Sequence, residues 1–305
     1  PLPGGVSPAL ISYVASRFLK IKPTVISAGL LQSPSFRHVC LESPDFGPAR
    51  CLSSGNAMDI SRVRHLFDGG LKIGKKLRKS LLITECVPGG TTTAFAVLTG
   101  LGINVNGLIS GSNKNPPSEL KIRLVNQGLK AANFAKTPSA IDLMAAVGDP
   151  FQPIAFGLMM GARQSGQEIL LGGGCQMLAV LALVLHEIEP QLHSEFVEKI
   201  IIGTTSWLVE ESLVYSKKRN SFVHLINHVA NHFKINIIGL ASGYRFSDSD
   251  HKVLRDYEIG YIKEGVGAGA LSLLAQIKGL TQEEMINNCD VAVSNLFRSK
   301  NEKSL

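Results

Sequence analysis

One repeated alternation constrains this chain more than any other feature: a short run of unbroken Ile, Val and Leu, then glycine, then a longer stretch with helical spacing. The apolar runs are TVIS (24–27), SLLIT (80–84), VNGLIS (105–110), EILLG (168–172), KIIIGTT (199–205) and INIIGLAS (235–242). Apolarity that is continuous rather than alternating predicts strands buried on both faces, as in a parallel sheet. Helical periodicity falls between them, over 59–77, 92–101, 119–133, 139–146, 152–165, 175–186 and 221–233, and after Gly269. Strand and helix in alternation predict an open, mostly parallel Rossmann-like sheet flanked by helices, an α/β/α fold.

Composition supports one large core. The 305 residues are 45% hydrophobic, which excludes disorder, and a single domain over 1–305 is expected because no repeat or linker interrupts the pattern. Pro116 and Pro117 make 112–119 a connection, and the polar tail 298–305 is expected to fray. The apolar stretch MLAVLALVL (177–185) is far short of the roughly 20 residues that span a bilayer, so it reads as a buried helix and no membrane partner is expected. The chain starts at PLPGGVSP without a methionine, so an upstream piece is expected; no charged segment leads into an apolar one, and the expected location is cytoplasmic. Five cysteines without a CxxC pair fit reduced thiols. A net charge of +7 suits anionic small molecules; the basic run KIGKKLRKS (72–80) lacks interleaved aromatics and reads as a solvated helix face, not a nucleic-acid site.

Three strand-to-helix junctions carry glycine: ECVPGGTTTAF (85–95), LLGGGCQML (170–178) and KEGVGAGAL (263–271). Such turns let the backbone approach a ligand and offer helix N–H groups to an anion, with phosphate the natural guest. None matches GxGxxG, and GLKIGKK (70–76) fails the Walker spacing, so dinucleotide and triphosphate binding lose their main support. Each turn taken alone is explained by strand termination and close helix packing. Together they would converge at the carboxyl edge of a parallel sheet, where Glu85 and Glu264 would sit at strand ends facing one ligand. Residues alone leave Glu264 open between helix capping, worth roughly 0.3–1 kcal/mol, and chemistry.

Other candidates are weaker. His224, His228 and His232 share a helix face but spread over about 12 Å, too far apart to ligate one ion, so they read as a surface or subunit-contact stripe. His251 follows a strand-end loop, with Asp248, Ser249 and Asp250 reading equally as an N-cap run. No GxSxG elbow and no adjacent Cys–His pair is present.

The segments ITECVPGGTTTAFAVLTGLG (83–102), ILLGGGCQMLAVLAL (169–183) and YEIGYIKEGVGAGAL (257–271), in this order, resemble the nicotinate-nucleotide:dimethylbenzimidazole phosphoribosyltransferase family, in its archaeal and cyanobacterial branch. Weaker correspondence begins at PGGVSPALI (3–11), which includes Ser7. The resemblance implies transfer of phosphoribose from nicotinate mononucleotide to dimethylbenzimidazole or a related base such as adenine, giving an α-ribazole phosphate for the cobamide lower ligand. It implies a homodimer acting on small molecules without cofactor or metal, and the expected fold carries a small helical lobe from the chain ends. An inactive nucleotide-binding homologue is the alternative, with an NAD-dependent oxidoreductase further behind.

By the same resemblance Glu264 is the general base, Gly265 with Ile262 and Lys263 lines the ribose and nicotinate region, and Lys121 and Ser242 approach phosphate. Gly203 and Thr204 form a strand-end pair near the nucleotide, and Glu85, Gly89, Gly90, Thr91, Gly172 and Gly173 complete the expected substrate contacts. Two departures stand out. Gly90 replaces the asparagine of the bacterial motif, leaving backbone N–H groups or Thr91 to substitute, and Lys263 places a cation beside the base. An ion pair with that lysine would depress the basicity of Glu264, so the lysine side chain is expected to point away.

Overall fold

The computed structural model describes residues 5–213, 218–219 and 221–302. Its strands are β1 (Ile26–Ser27), β2 (Val39–Cys40), β3 (Leu81–Thr84), β4 (Ile169–Gly172), β5 (Ile200–Thr205), β6 (Ser212–Leu213), β7 (Lys218–Arg219) and β8 (Ile238–Ser242). Four of these form one parallel sheet in the order β3-β4-β5-β8, while β1 with β2 and β6 with β7 make separate two-stranded ladders. The helices are α1 (Ala9–Leu19), α2 (Ile60–Lys76), α3 (Gly90–Gly100), α4 (Ser118–Ala132), α5 (Ala140–Val147), α6 (Phe151–Gln164), α7 (Cys175–Glu187), α8 (His193–Val197), α9 (Ser206–Val209), α10 (Ser221–Phe233), α11 (Lys252–Arg255), α12 (Ala268–Ile277) and α13 (Gln282–Glu302). The α/β fold expected from the alternation is therefore present: a parallel sheet between helical layers.

The sheet divides two apolar cores. Ile83, Ile169, Leu171, Ile200 and Ile202 point to one side, where they meet α3, α5, α6 and α7. Helix α7, buried all round from Cys175 to Leu185, is the centre of that layer. On the other side α1, α12 and α13 enclose Tyr244, Phe246, Tyr257 and Trp207, so the chain ends supply the thinner layer. Trp207 stacks on Phe246 at 5.3 Å and packs against Tyr257 at 5.1 Å.

Two local expectations fail for physical reasons. Residues 105–110 form no strand: Gly107 adopts a left-handed φ of 71° and Leu108 N–H donates to Val105 O, so Val105, Leu108 and Ile109 enter the core from a turn rather than a ladder. Burial on both faces does not extend to the edge strand, where Ile238 and Leu240 are 51% and 42% exposed; α12 packs on β8 toward its carboxyl end, where Gly243 N–H donates to Gln276 Oε1, and Ser242 is buried there while the start of the strand stays bare. Helix α13 runs on to Glu302, while 303–305, like Pro3 and Gly4, lie outside the described residues.

GLKIGKK, which failed as a nucleotide loop, has a packing role. A Cβ on Gly70 or Gly74 of α2 would stand 2.2 or 2.4 Å from the carbonyl oxygens of Ile154 or Leu158. On α6, Gly157 and Gly161 meet the Phe67 and Leu71 carbonyls just as closely, at 2.1 and 2.5 Å. The two helices thus touch backbone to backbone along four glycines. Neighbouring Gly69 faces only the Leu41 side chain at 3.3 Å. Gly70→Ala is expected to lower stability to denaturant by about 1–3 kcal/mol. Gly69→Ala, which gains helix propensity, should fall within about 1 kcal/mol of wild type on the stabilising side.

Candidate active site

The carboxyl ends of the sheet strands meet the loop before α12, and this meeting builds the site. Gly267 caps α12 at φ 72°, and a Cβ there would lie 2.2 Å from the Thr84 side chain, so only glycine closes the turn. Upstream, Lys263 N–H donates to Tyr261 O and Glu264 N–H to Ile262 O, two successive γ-turns whose central residues Ile262 and Lys263 have φ of 64° and 66°. Left-handed backbone at a β-branched residue and at a lysine costs on the order of 1–3 kcal/mol each and persists only where surroundings over-determine it. Here they do. Ile262 N–H donates to Ser112 O, Val266 N–H to Glu85 O, Ser12 Oγ to Val266 O, and Thr205 Oγ1 to Lys263 O.

Glu264 leaves this loop with both carboxylate oxygens engaged. Oε1 accepts from Gly265 N–H (3.0 Å) and from Gly269 N–H in the first turn of α12 (3.2 Å); Oε2 accepts from Thr204 Oγ1 (2.9 Å). Capping and placement at the cleft are therefore one arrangement. Burial pushes this carboxyl up to about 6, against the downward pull of the Gly265, Gly269, Thr204 and Thr205 donors. Glu85, at the end of β3, is pushed further, to about 7: burial dominates, Val87 N–H opposes it, and the Asp149 and Glu264 charges add to it. Two carboxyls of raised pKa in one cleft form a candidate acid–base pair.

Both line a cleft of about 520 Å³ together with Thr91, Gly174, Ile262 and Gly265. Leu108, Leu208, Phe222 and Leu225 give it an apolar wall. Helices α3 and α7 begin at its rim, bringing first-turn N–H groups toward any anion. Lys121 reaches the rim from α4: its buried ammonium donates to Thr91 Oγ1 (2.8 Å) and Ser110 O (2.7 Å), and burial lowers its pKa.

Several expected residues stand outside this lining set. Gly172 and Gly203 admit α12, since a Cβ on either would come within 2.9 Å of Ala270. Gly173 and Gly89 flank the helix starts without lining the cleft, and Thr204 is felt through Glu264. Ser242 is buried at the end of β8 opposite Thr205. Exposed Ser7 accepts from Ala9 N–H, while its neighbour Pro8 would meet a Cβ on Gly265 at 3.0 Å, so the start of α1 braces the loop. The Lys263 ammonium turns to Glu211 (3.0 Å) and to the carbonyls of Gly260 and Asn113. His251 bonds Ser294 and packs on Phe297, tying α11 to α13. Among the described residues no cluster of His, Cys, Asp and Glu could hold a metal ion, and no helix is long and apolar enough to cross a membrane.

Sequence reading missed Asp149 and Gln176. Buried Asp149 accepts from Thr93 Oγ1, from Gln176 Nε2 (2.7 Å) and from Phe151 N–H (3.0 Å), while Gln152 Nε2 donates to Gln176 Oε1 (2.9 Å). This network joins the first turns of α3, α6 and α7 behind the cleft. A Cβ on Gly90 would lie 2.7 Å from Gln176 Nε2, so the glutamine amide fills the room that a larger residue at 90 would need. The signal available was positional: a glutamine two residues past the GGG turn and an aspartate directly before a proline.

Residues 14–198 match a protein-family model described as Phosphoribosyltransferase (DBI_PRT). The chain belongs to that phosphoribosyltransferase family. It is 51% identical over 297 residues, 97% of this chain and 74% of the relative, to a UPF0284 protein of Prochlorococcus marinus (strain MIT 9313). To a UPF0284 protein of Parasynechococcus marenigrum (strain WH8102) it is 48% identical over 98% of this chain and 75% of that one. Among solved structures it is similar to the nicotinate-nucleotide-dimethylbenzimidazole phosphoribosyltransferase of Thermus thermophilus, with a TM-score of 0.56 at 14% identity over 91% of this chain and 70% of that one. A structure of CobT from the same organism gives 0.57 at 15% identity, over 88% of this chain and 74% of that one. Likeness at such identity speaks for the fold, and the family match makes the protein a pentosyl-transferring enzyme.

The Glu85 carboxyl of this phosphoribosyltransferase favours its protonated form in the fold. Its pKa of about 7 exceeds the ordinary 4.5, so the native state holds more protons than the unfolded chain between those values and loses stability as pH rises through them. Glu85→Gln is therefore expected to melt higher than wild type at about pH 8, with the gain vanishing below about pH 4.5. Thermal melts across pH check the sign.

Proposed function

We propose that this phosphoribosyltransferase moves the 5-phosphoribosyl group of nicotinate mononucleotide to an aromatic base such as dimethylbenzimidazole or adenine, with Glu264 as general base. One observation carries the reading: the raised-pKa carboxylate of Glu264, held by Gly265, Gly269 and Thr204, lines the same cleft as the apolar wall of Leu108, Leu208, Phe222 and Leu225. A flat aromatic base suits that wall, and its ring N–H needs an acceptor at the edge.

In the proposed step the bond from C1′ to the nicotinate nitrogen breaks, and its electron pair leaves with nicotinate. A ring nitrogen of the incoming base bonds to C1′, and the proton it sheds passes to the Glu264 carboxylate. The carboxylate also offsets positive charge on the ribose as the bond loosens. Phosphate takes no part in bond making. Holding it at the starts of α3 and α7 fixes C1′ against the attacking nitrogen, and fixed geometry lowers the barrier. The family resemblance supports the substrate pair and also a homodimer, which ultracentrifugation would read as twice the 32.7 kDa chain mass.

Purified protein incubated with nicotinate mononucleotide and either base is expected to release nicotinate with matching formation of the new riboside. Absence of release with every azole and purine tried overturns the proposal. Glu264→Gln should lower kcat by about 10²–10⁴-fold. Wild-type kcat/KM should fall on the acid side with a midpoint near the Glu264 value of about 6, because only the ionised carboxylate accepts the proton.

A further inference from the structure

Lys263 is an odd choice of residue. It sits at a left-handed φ of 66°, where glycine is at ease, and its side chain is only 2% exposed. The ammonium has three donors and three acceptors: Glu211 Oε1 at 3.0 Å, Gly260 O at 3.0 Å and Asn113 O at 3.2 Å. These acceptors come from three separate loops around the cleft. The Glu211 side chain is 8% exposed, and Lys263 is its ion-pair partner among the described residues, with the Lys121 ammonium also close enough to feel its charge.

A buried ion pair is weak as a source of stability, because desolvation offsets most of the attraction and an apolar side chain of similar volume does as well. What an apolar side chain lacks is direction. The carbonyl of Lys263 accepts from Thr205 Oγ1 at 2.5 Å, and the next residue places its carboxylate on Thr204 Oγ1 at 2.9 Å. The end of β5 thus grips the lysine backbone and the glutamate side chain at once, and the ammonium fixes the third side of the same loop.

We propose that the Lys263–Glu211 pair is a positioning device that sets the direction of the Glu264 carboxylate; its consequence for turnover rests on the reading of Glu264 as base. Both residues act through Glu264 and neither touches substrate.

The test is the double variant Lys263→Met/Glu211→Gln, which leaves no uncompensated charge. Expected are a melting point within about 3 °C of wild type, kcat for nicotinate release lower by about tenfold or more, and KM for the mononucleotide within about twofold. Amide hydrogen exchange at Gly265 and Gly269, the donors to Glu264, should accelerate by about tenfold or more while the sheet amides keep their rates. Wild-type exchange at those two glycines overturns the proposal, as does a uniform acceleration across α12 and the sheet, which would mark general loss of stability. Should wild type release no nicotinate, the reading of Glu264 as base fails by itself, and exchange at the two glycines still decides the positioning claim. If the double variant does not fold, Glu211→Gln alone retains the two carbonyl contacts of the ammonium and is read the same way; unchanged exchange there overturns the proposal.

Discussion

Helix α12 begins pressed against the carboxyl end of the sheet, its Gly269 backbone on Thr204 and its Ala270 methyl over Gly172 and Gly203, and the site depends on that contact. A Cβ on Gly269 would stand 2.0 Å from the Thr204 carbonyl carbon, and those on Gly172 and Gly203 would crowd Ala270 at 2.9 Å. So close an approach brings the first turn of α12 to the end of β5, where Thr204 and the Gly269 N–H reach the same carboxylate. The loop must then turn within a few residues, which accounts for left-handed backbone at Ile262, Lys263 and Val266. Strain in the loop is the counterpart of tight packing below it.

Electrostatics follow from the same enclosure. Burial raises Glu264 to about 6 and Glu85 to about 7 and lowers Lys121, so each group is drawn toward its neutral form. Donors decide the order among the acids. Glu264 has several hydrogen bonds to its ionised form, Glu85 accepts from Val87 N–H and feels two neighbouring acids, and the pair therefore loses its protons in two steps. Between those steps one carboxyl can accept a proton while the other can donate one.

Glycine serves two purposes here, and spacing alone does not separate them. The turns at 85–95 and 170–178 open helices at the cleft, as read from the sequence. Within them, however, Gly172 faces a helix, and Gly90 faces the amide of Gln176. Gly70 and Gly74, set aside for failing a phosphate pattern, sit in a helix pair held backbone to backbone. Whether a missing Cβ makes room for a ligand or for a neighbouring chain segment depends on what lies opposite, and that is a tertiary fact.

Local chemistry in the sequence was enough for the parallel α/β/α fold, for helix bounds close to those observed and for both cleft carboxylates, because buried strands and strand-end turns are written in contiguous residues. Tertiary structure alone decided the rest. Residues 105–110 have strand-like composition but fold as a turn, and edge strand β8 is apolar yet bare at its start because α12 packs on it toward the carboxyl end. Asp149, Gln152 and Gln176 make one network, although the aspartate and Gln176 are 27 residues apart. Lys263 stands next to Glu264 in sequence, yet its charge goes to Glu211. Adjacent residues in a turn can point in opposite directions, and the direction of each is set by the partner it finds across the fold.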